Sequence, residues 1–165
     1  MLGRDYAGQN CSIARALEVV GERWTLLILR DAFFGVTRFD LWQRRLGIAP
    51  NVLAKRLHTL VEARVLERRP YHERPERVDY RLTERGEALF PVILGLLRWG
   101  DQELAERGPP ALPRHAGCGG SIDSCARCKR CEERVRSEDV EWLWGPGSSR
   151  PPGVRPRPPG VPAET

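Results

Sequence analysis

The chain has 165 residues, is 41% hydrophobic and 30% charged, and carries a formal net charge of +5. It can bury a core, but no apolar run approaches the ~18–20 residues of a membrane span, so one soluble domain with an appendage is expected and a membrane protein is not. Residues 1–10 hold no apolar stretch of the kind a secretory leader needs, which predicts a cytoplasmic protein.

The charge excess is local. Residues 36–85 carry twelve basic and seven acidic side chains, whereas residues 86–108 carry two basic and four acidic. A basic segment of this kind fits an anionic partner such as double-stranded DNA.

In chain order, Ser12 is the expected N-cap of a first helix, with Ile13, Leu17, Val20 and Trp24 at helical spacing and Gly21 as the stop. A second helix is predicted from about Arg23 to Phe34. Thr37 should cap a third, whose Phe39, Trp42 and Leu46 share a face before Gly47 breaks it. Pro50 suits the first turn of a fourth helix, in which Leu53, Leu57 and Leu60 form one apolar stripe. The period then changes to alternation. Residues 65–69 and 78–82 read as two strands, joined by a polar tip over residues 70–77 that contains two prolines. Thr83 should cap a long helix to about Glu106, bent at Pro91. Trp24 and Trp99 sit at apolar spacing with Leu and Val, which reads as core packing rather than a ligand cage.

From Gly108 the composition changes. Residues 1–107 read as one ordered domain, residues 108–113 as a linker, 114–144 as a Cys/His-rich segment with little to form a core, and 145–165 as a disordered Pro/Arg-rich tail.

Helices 37–46 and 50–63, joined by Gly47-Ile48-Ala49, have helix-turn-helix proportions, and a basic hairpin after them makes a wing. With the Leu stripe inward, Asn51, Lys55, His58 and Glu62 point outward and Ala54, Arg56 and Thr59 flank them. The expected fold is therefore mainly α with a small β-hairpin, a winged helix-turn-helix. Asn51, Lys55, Arg56 and Thr59 are the expected major-groove residues, and Arg74 and Arg77 the wing contacts.

The segments Cys11-Ser12-Ile13-Ala14-Arg15-Ala16-Leu17 and Val20-Gly21-Glu22-Arg23-Trp24-Thr25-Leu26-Leu27 resemble the opening signature of HxlR-type transcriptional regulators. These are bacterial winged-helix proteins related in architecture to MarR regulators. Arg38-Phe39-Asp40, Asn51-Val52-Leu53, Arg56-Leu57, Tyr80-Arg81-Leu82-Thr83, Gly86 and Trp99-Gly100 follow in the family's order, so the resemblance covers about residues 8–106. It implies a homodimeric, sequence-specific, nucleoid-associated DNA binder with no enzyme activity, a repressor before an activator, on a palindromic operator. Ala49 departs from the Ser or Thr that the family often places ahead of its recognition helix, where an oxygen could cap it.

Residues 88–99 are apolar almost all round, so the last helix must be buried on two sides. The expected dimer interface is Ile13, Leu17, Leu89, Ile93, Leu96 and Leu97.

Five cysteines are an odd number, which disfavours a complete disulfide framework. Cys11 stands alone at a helix start, where the helix dipole favours thiolates, and the resemblance points to a cysteine in this region that senses oxidants or electrophiles. Cys11 is thus a redox-sensing candidate, with a small packing residue as the alternative. His115, Cys118, Cys125, Cys128 and Cys131 have the spacing H-x2-C-x6-C-x2-C-x2-C. The spacing offers five candidates for the four ligands of one zinc ion, and the resemblance, carried on through Ser137-Glu138-Asp139-Val140, implies His115, Cys118, Cys128 and Cys131, with Cys125 as alternate. Two other functions remain open at this point. The tail could be a zinc-dependent protein-interaction module, or a C-x2-C pair could serve a thiol oxidoreductase, though the βαβ setting such a motif needs is missing.

Overall fold

The computed structural model describes residues 10–73 and 76–149. They fall into two compact units: residues up to Ala32 together with Val36–Arg85, and Phe33–Gly35 together with residues from Gly86 onward.

The first unit contains α1 (Ser12–Val20), α2 (Arg23–Phe33, ending in the second unit), α3 (Phe39–Leu46), α4 (Pro50–Glu62) and the antiparallel pair β1 (Leu66–Glu73) and β2 (Glu76–Leu82). This is the winged helix-turn-helix expected. Its core is Ile28, Leu29, Val36, Trp42, Ile48, Leu53, Leu57, Leu60, Val65 and Leu66. Trp42 has no exposed surface, and its indole N–H donates to the Ile28 carbonyl at 3.1 Å. A buried indole N–H needs such a partner.

One charge lies inside this core. The Asp31 side chain is fully buried, yet Arg30 Nε donates to it at 3.0 Å and Arg45 Nε at 3.1 Å. Arg45 belongs to α3, so the carboxylate ties α2 to α3. Gly47 then ends α3 in the left-handed conformation, φ 61°, with its N–H on the Gln43 carbonyl. Glycine reaches that conformation without a Cβ penalty. Pro50 sits in the first turn of α4, and Ala49 caps it with its carbonyl alone.

Several local expectations are corrected. Cys11, not Ser12, is the N-cap of α1. Thr37 does not cap α3; its carbonyl accepts the Tyr80 N–H at 2.7 Å, and Arg38 bridges Asp79. Residues 37–38 thus add a short rung beside β2, and the helix starts one residue later, with extended Arg38 as its N-cap and the Arg38 carbonyl accepting the Leu41 and Trp42 N–H groups. The wing strands reach further than their apolar alternation, because main-chain pairing continues to Glu73↔Glu76. A register shift lies between Pro70 and His72, where a proline without an N–H is tolerated. Arg64, at φ 57°, closes the turn from α4 to β1.

The second unit holds α6 (Phe90–Glu103) and the strands β3 (Ala111–His115) and β4 (Val140–Trp144), which pair antiparallel. The expected long helix is broken: α5 (Glu84–Glu87) stops short, and Pro91 stands in the first turn of α6. A first-turn position is where the missing N–H costs nothing. Ala111–Pro113, in the stretch that composition reads as linker, are ordered by pairing with residues 142–144. Phe33, Phe90, Ile93 and Leu94 are buried, with the Phe33 and Phe90 rings 5.0 Å apart. Trp99, expected in the core, is 58% exposed, and Trp24 is half-buried. Residues 116–136 form a compact insertion between β3 and β4 with its own small core, Ile122, Ala126, Cys128 and Val135. Of the tail expected to be disordered over 145–165, residues 145–149 are ordered, the Gly145 and Gly147 N–H groups donating to the Pro110 and Pro109 carbonyls at 3.0 and 3.1 Å; the expectation for residues 150–165 lies outside the described residues.

Removing the buried carboxylate should cost far more than removing an exposed one. Asp31→Ala is expected to lower the unfolding free energy by ~2–4 kcal/mol in urea titration, through loss of charge-assisted hydrogen bonds and a small cavity. Asp40, half-exposed although paired with Arg38 and Arg44, should cost no more than about 1 kcal/mol as Asp40→Ala. Equal effects would show that Asp31 does not tie α2 to α3.

Candidate nucleic-acid interface and thiol-rich centre

The outer face of α4 follows from its inner one. Leu53, Leu57 and Leu60 are at most 1% exposed, and residues one or two positions from this stripe must turn to solvent. Asn51, Ala54, Lys55, His58 and Glu62 are exposed, and His58 lies 3.3 Å from Glu62 one turn on. Thr59 is half-buried and donates back to the Lys55 carbonyl at 3.1 Å. Arg56 departs from the expected arrangement. Its side chain is 19% exposed and pairs with Glu22 at 3.2 Å, with Nε buried and unpartnered. Sequence reasoning missed this pairing because Glu22 lies outside the helix-turn-helix. Of the wing residues, Arg77 is in β2 opposite His72, while Arg74 lies outside the described residues. Arg68 and Arg69 are also exposed on β1.

Of the six residues expected at a dimer interface, Ile13 (72%), Leu17 and Leu96 (48%) are open to solvent. Leu89 and Leu97 are half-buried, and Ile93 lies in the core of its own unit. The exposed stripe of α6 is instead Val92, Leu96 and Trp99. Its i, i+4, i+7 spacing was readable, but which of two apolar faces the protein itself covers was not. Cys11 is half-buried, and its side chain makes no capping hydrogen bond.

In the second unit, His115, Cys118, Cys128 and Cys131 come together, their ligand atoms all within 4.8 Å of one another. His115 Nδ1 lies 3.2 Å from Cys131 Sγ and 3.4 Å from Cys118 Sγ, and Cys118 Sγ lies 3.4 Å from Cys128 Sγ. Tetrahedral zinc, with bonds of about 2.3 Å to sulfur and 2.0–2.1 Å to nitrogen, sets its donors about 3.5–3.8 Å apart. The set is therefore close enough to bind a metal. Cys125 is exposed and outside the cluster. Its own backbone N–H, like that of Arg127, donates to Asp123 Oδ1 at 2.9 Å, which shapes the turn leading to Cys128. The Arg130 N–H points at Cys128 Sγ, 3.4 Å away. Gly120 has to be glycine, since an added Cβ would collide with Cys128 Sγ.

The sulfurs differ in acidity. The Cys131 N–H, with that of Arg130 and the Cys118 side chain, lowers the Cys128 thiol to about 6 against the opposing effect of desolvation. The Glu133 N–H pulls Cys131 down, but desolvation and the Cys128 and Cys118 sulfurs outweigh it and raise that thiol to about 11. Charge thus gathers on one sulfur of a crowded group, as expected where like charges share a site.

The HxlR-like helix-turn-helix family model matches residues 19–107. The chain belongs to this family. An HTH-type transcriptional regulator of Mycobacterium tuberculosis is 50% identical over 137 residues, 82% of this chain and 87% of the relative. Among solved structures, PA1607, a candidate transcription factor, is 35% identical with a TM-score of 0.54, covering 84% of this chain and 87% of that one. The redox regulator HypR in its reduced form is 29% identical with a TM-score of 0.53, covering 56% of this chain and 92% of its own. This HxlR-like chain is thus a helix-turn-helix transcriptional regulator. Among the described residues, no helix is long and apolar enough to cross a membrane.

The metal-free HxlR-like chain is expected to keep one thiolate at neutral pH. Because the Cys128 value is depressed to about 6, its thiolate persists above that pH and is lost as the pH falls through it. Ultraviolet thiolate absorbance should show this step, and Cys128→Ser should remove it. A first ionisation only near the ordinary thiol value of about 8.5 would show that the N–H groups do not act on Cys128.

Proposed function

We propose that this chain is a homodimeric transcriptional repressor that places α4 in the major groove of a palindromic operator in the cytoplasm. The observation that carries the reading is the division of α4, with three leucines sealed inward and Asn51 and Lys55 left open in its N-terminal half. Asn and Lys can hydrogen-bond base edges, and exposed arginines of the wing hairpin can neutralise phosphates. Arg56 takes a different role from a groove contact. Held by Glu22, it fixes α4 against the α1–α2 turn, with Thr59 flanking the open face, and Arg74 and Arg77 of the wing are assigned to the DNA phosphates.

The dimer reading is supported by unpartnered apolar surface at Ile13 and Leu17 on α1 and at Val92, Leu96 and Trp99 on α6. Exposed apolar side chains clustered on a helix face are of the chemistry that interfaces use. A two-fold partner would set two α4 helices about 34 Å apart, one duplex turn. Leu89, Leu97 and the buried Ile93 support that face from behind. The thiol-rich centre holds one zinc ion through His115, Cys118, Cys128 and Cys131, given its three soft ligands and donor spacing. Cys11, at the N-cap of α1 beside the exposed Ile13, is placed to let a thiol modification alter the dimer. HypR, described as a redox regulator, makes that signal the first to test.

Fluorescence anisotropy on operator duplexes tests the core of this reading. Lys55→Ala should weaken specific binding by ~1–3 kcal/mol if the lost contact is to a base edge. Arg77→Ala should weaken all sequences alike and flatten the salt slope. Unchanged affinity in both variants would remove α4 and the wing from the interface. In the same assay, with Cys118, Cys125, Cys128 and Cys131 all changed to Ser so that Cys11 is the sole thiol, a further Cys11→Ser change that leaves the diamide response as it was would make Cys11 a packing residue.

Leu96→Arg should give a folded monomer in sedimentation, because a charge cannot be buried unpaired against an apolar partner. A dimer that survives this change would not use this face of α6.

A further inference from the structure

Three of the four donors in the thiol-rich centre are sulfurs, and they are not equally sheltered. Cys128 is buried, Cys118 is half-buried and Cys131 is exposed. Cys118 Sγ lies 3.7 Å from Cys131 Sγ. With zinc bound the ligating cysteines are deprotonated, and a solvent-facing thiolate with a second thiolate at this range can be oxidised and then captured by its neighbour.

The centre also has a mechanical connection. Between Cys118 and Cys128 the chain passes through Ile122, 2% exposed, whose carbonyl accepts a hydrogen bond from Arg98 of α6 at 3.2 Å. Arg130, next to Cys131, donates to the Cys118 carbonyl at 2.7 Å. The insertion buries few side chains, so an ion would supply much of its order. Whatever opens the cluster therefore loosens a segment attached to α6.

We propose that this centre is a redox-releasable zinc clamp, in which oxidation of Cys131 and its capture by Cys118 expel the ion and free the insertion from α6. The inference rests on the zinc reading above. The oxidant is a hydroperoxide. The Cys131 thiolate attacks the terminal oxygen, the O–O bond breaks, and the alkoxide leaves and takes a proton, giving a sulfenic acid. The Cys118 thiolate attacks that sulfur, an S–S bond forms, and hydroxide leaves and takes a proton to become water. Two thiolates lose two electrons in all, and the peroxide is reduced to an alcohol and water. The zinc ion is left with Cys128 and His115 and departs as the hydrated ion. The switch is separate from Cys11, which lies in the other unit.

The test uses the full chain carrying Cys11→Ser and Cys125→Ser, so that only the three clustered thiols remain. Metal analysis before oxidation should find about one zinc per chain. Cumene hydroperoxide should then release that zinc to a chromogenic chelator, with the loss of two thiols per chain. Peptide mass mapping should find Cys118 joined to Cys131, and dithiothreitol with added zinc should restore binding. Hydrogen exchange should rise together in residues 115–131 and the second half of α6. Zinc that stays bound while thiols are consumed, or release without the Cys118–Cys131 bond, overturns the proposal. A chain that holds no zinc and takes up none when it is added defeats the zinc reading itself, before any oxidant is used.

Discussion

A single buried carboxylate fixes the geometry on which the first unit depends. Asp31 sits in the apolar interior of α2, and its two oxygens are held by arginines from α2 and α3. A charge in that position is tolerable only if its partners stay in place. The requirement turns a general apolar contact into a defined one: α3 cannot slide along α2 without stranding the charge. The indole of Trp42 reinforces the register through the Ile28 carbonyl. Everything that follows in the chain, the Gly47 turn, the entry of α4 and the outward aim of Lys55, inherits this alignment.

The helical part of the fold was legible because its signals are local. Gly47, Pro50 and the leucines of α4 each state their role within a turn or two of chain. The features that escaped are those settled by distant partners. Thr37 looks like a helix cap until the Tyr80 N–H claims its carbonyl. Arg56 looks like a surface cation until Glu22 is brought beside it. In α6 the period shows two apolar faces, and only packing decides that Ile93 goes inward and Trp99 outward. The metal-ligand set is a different case. Its spacing offers His115 and four cysteines, the family resemblance prefers His115, Cys118, Cys128 and Cys131, and folding brings those four together. The turns that do so, with Ala126 and Glu132 in left-handed conformations, leave no mark in composition.

The two units solve the problem of a stable interior in different ways. The first buries large aliphatic and aromatic side chains from several helices. The insertion in the second has only a few small apolar residues, and places its thiols and an imidazole where a larger domain would place leucines. A short segment can be ordered in this manner because ligand bonds are much stronger per residue than apolar contacts. If the proposed ion is bound, the same economy makes its order conditional on the chemical state of the sulfurs.

The irregularity at Pro70 has a consequence for the protein in a crowded cell. A wing must stand clear of its own unit, and a protruding hairpin exposes the outer edge of β1, whose free N–H and C=O groups could recruit a strand from another molecule. Pro70 removes one of those donors, and the register shift beside it interrupts the regular spacing that an incoming strand would need. The features that let the hairpin extend outward also keep it from seeding edge-to-edge aggregation.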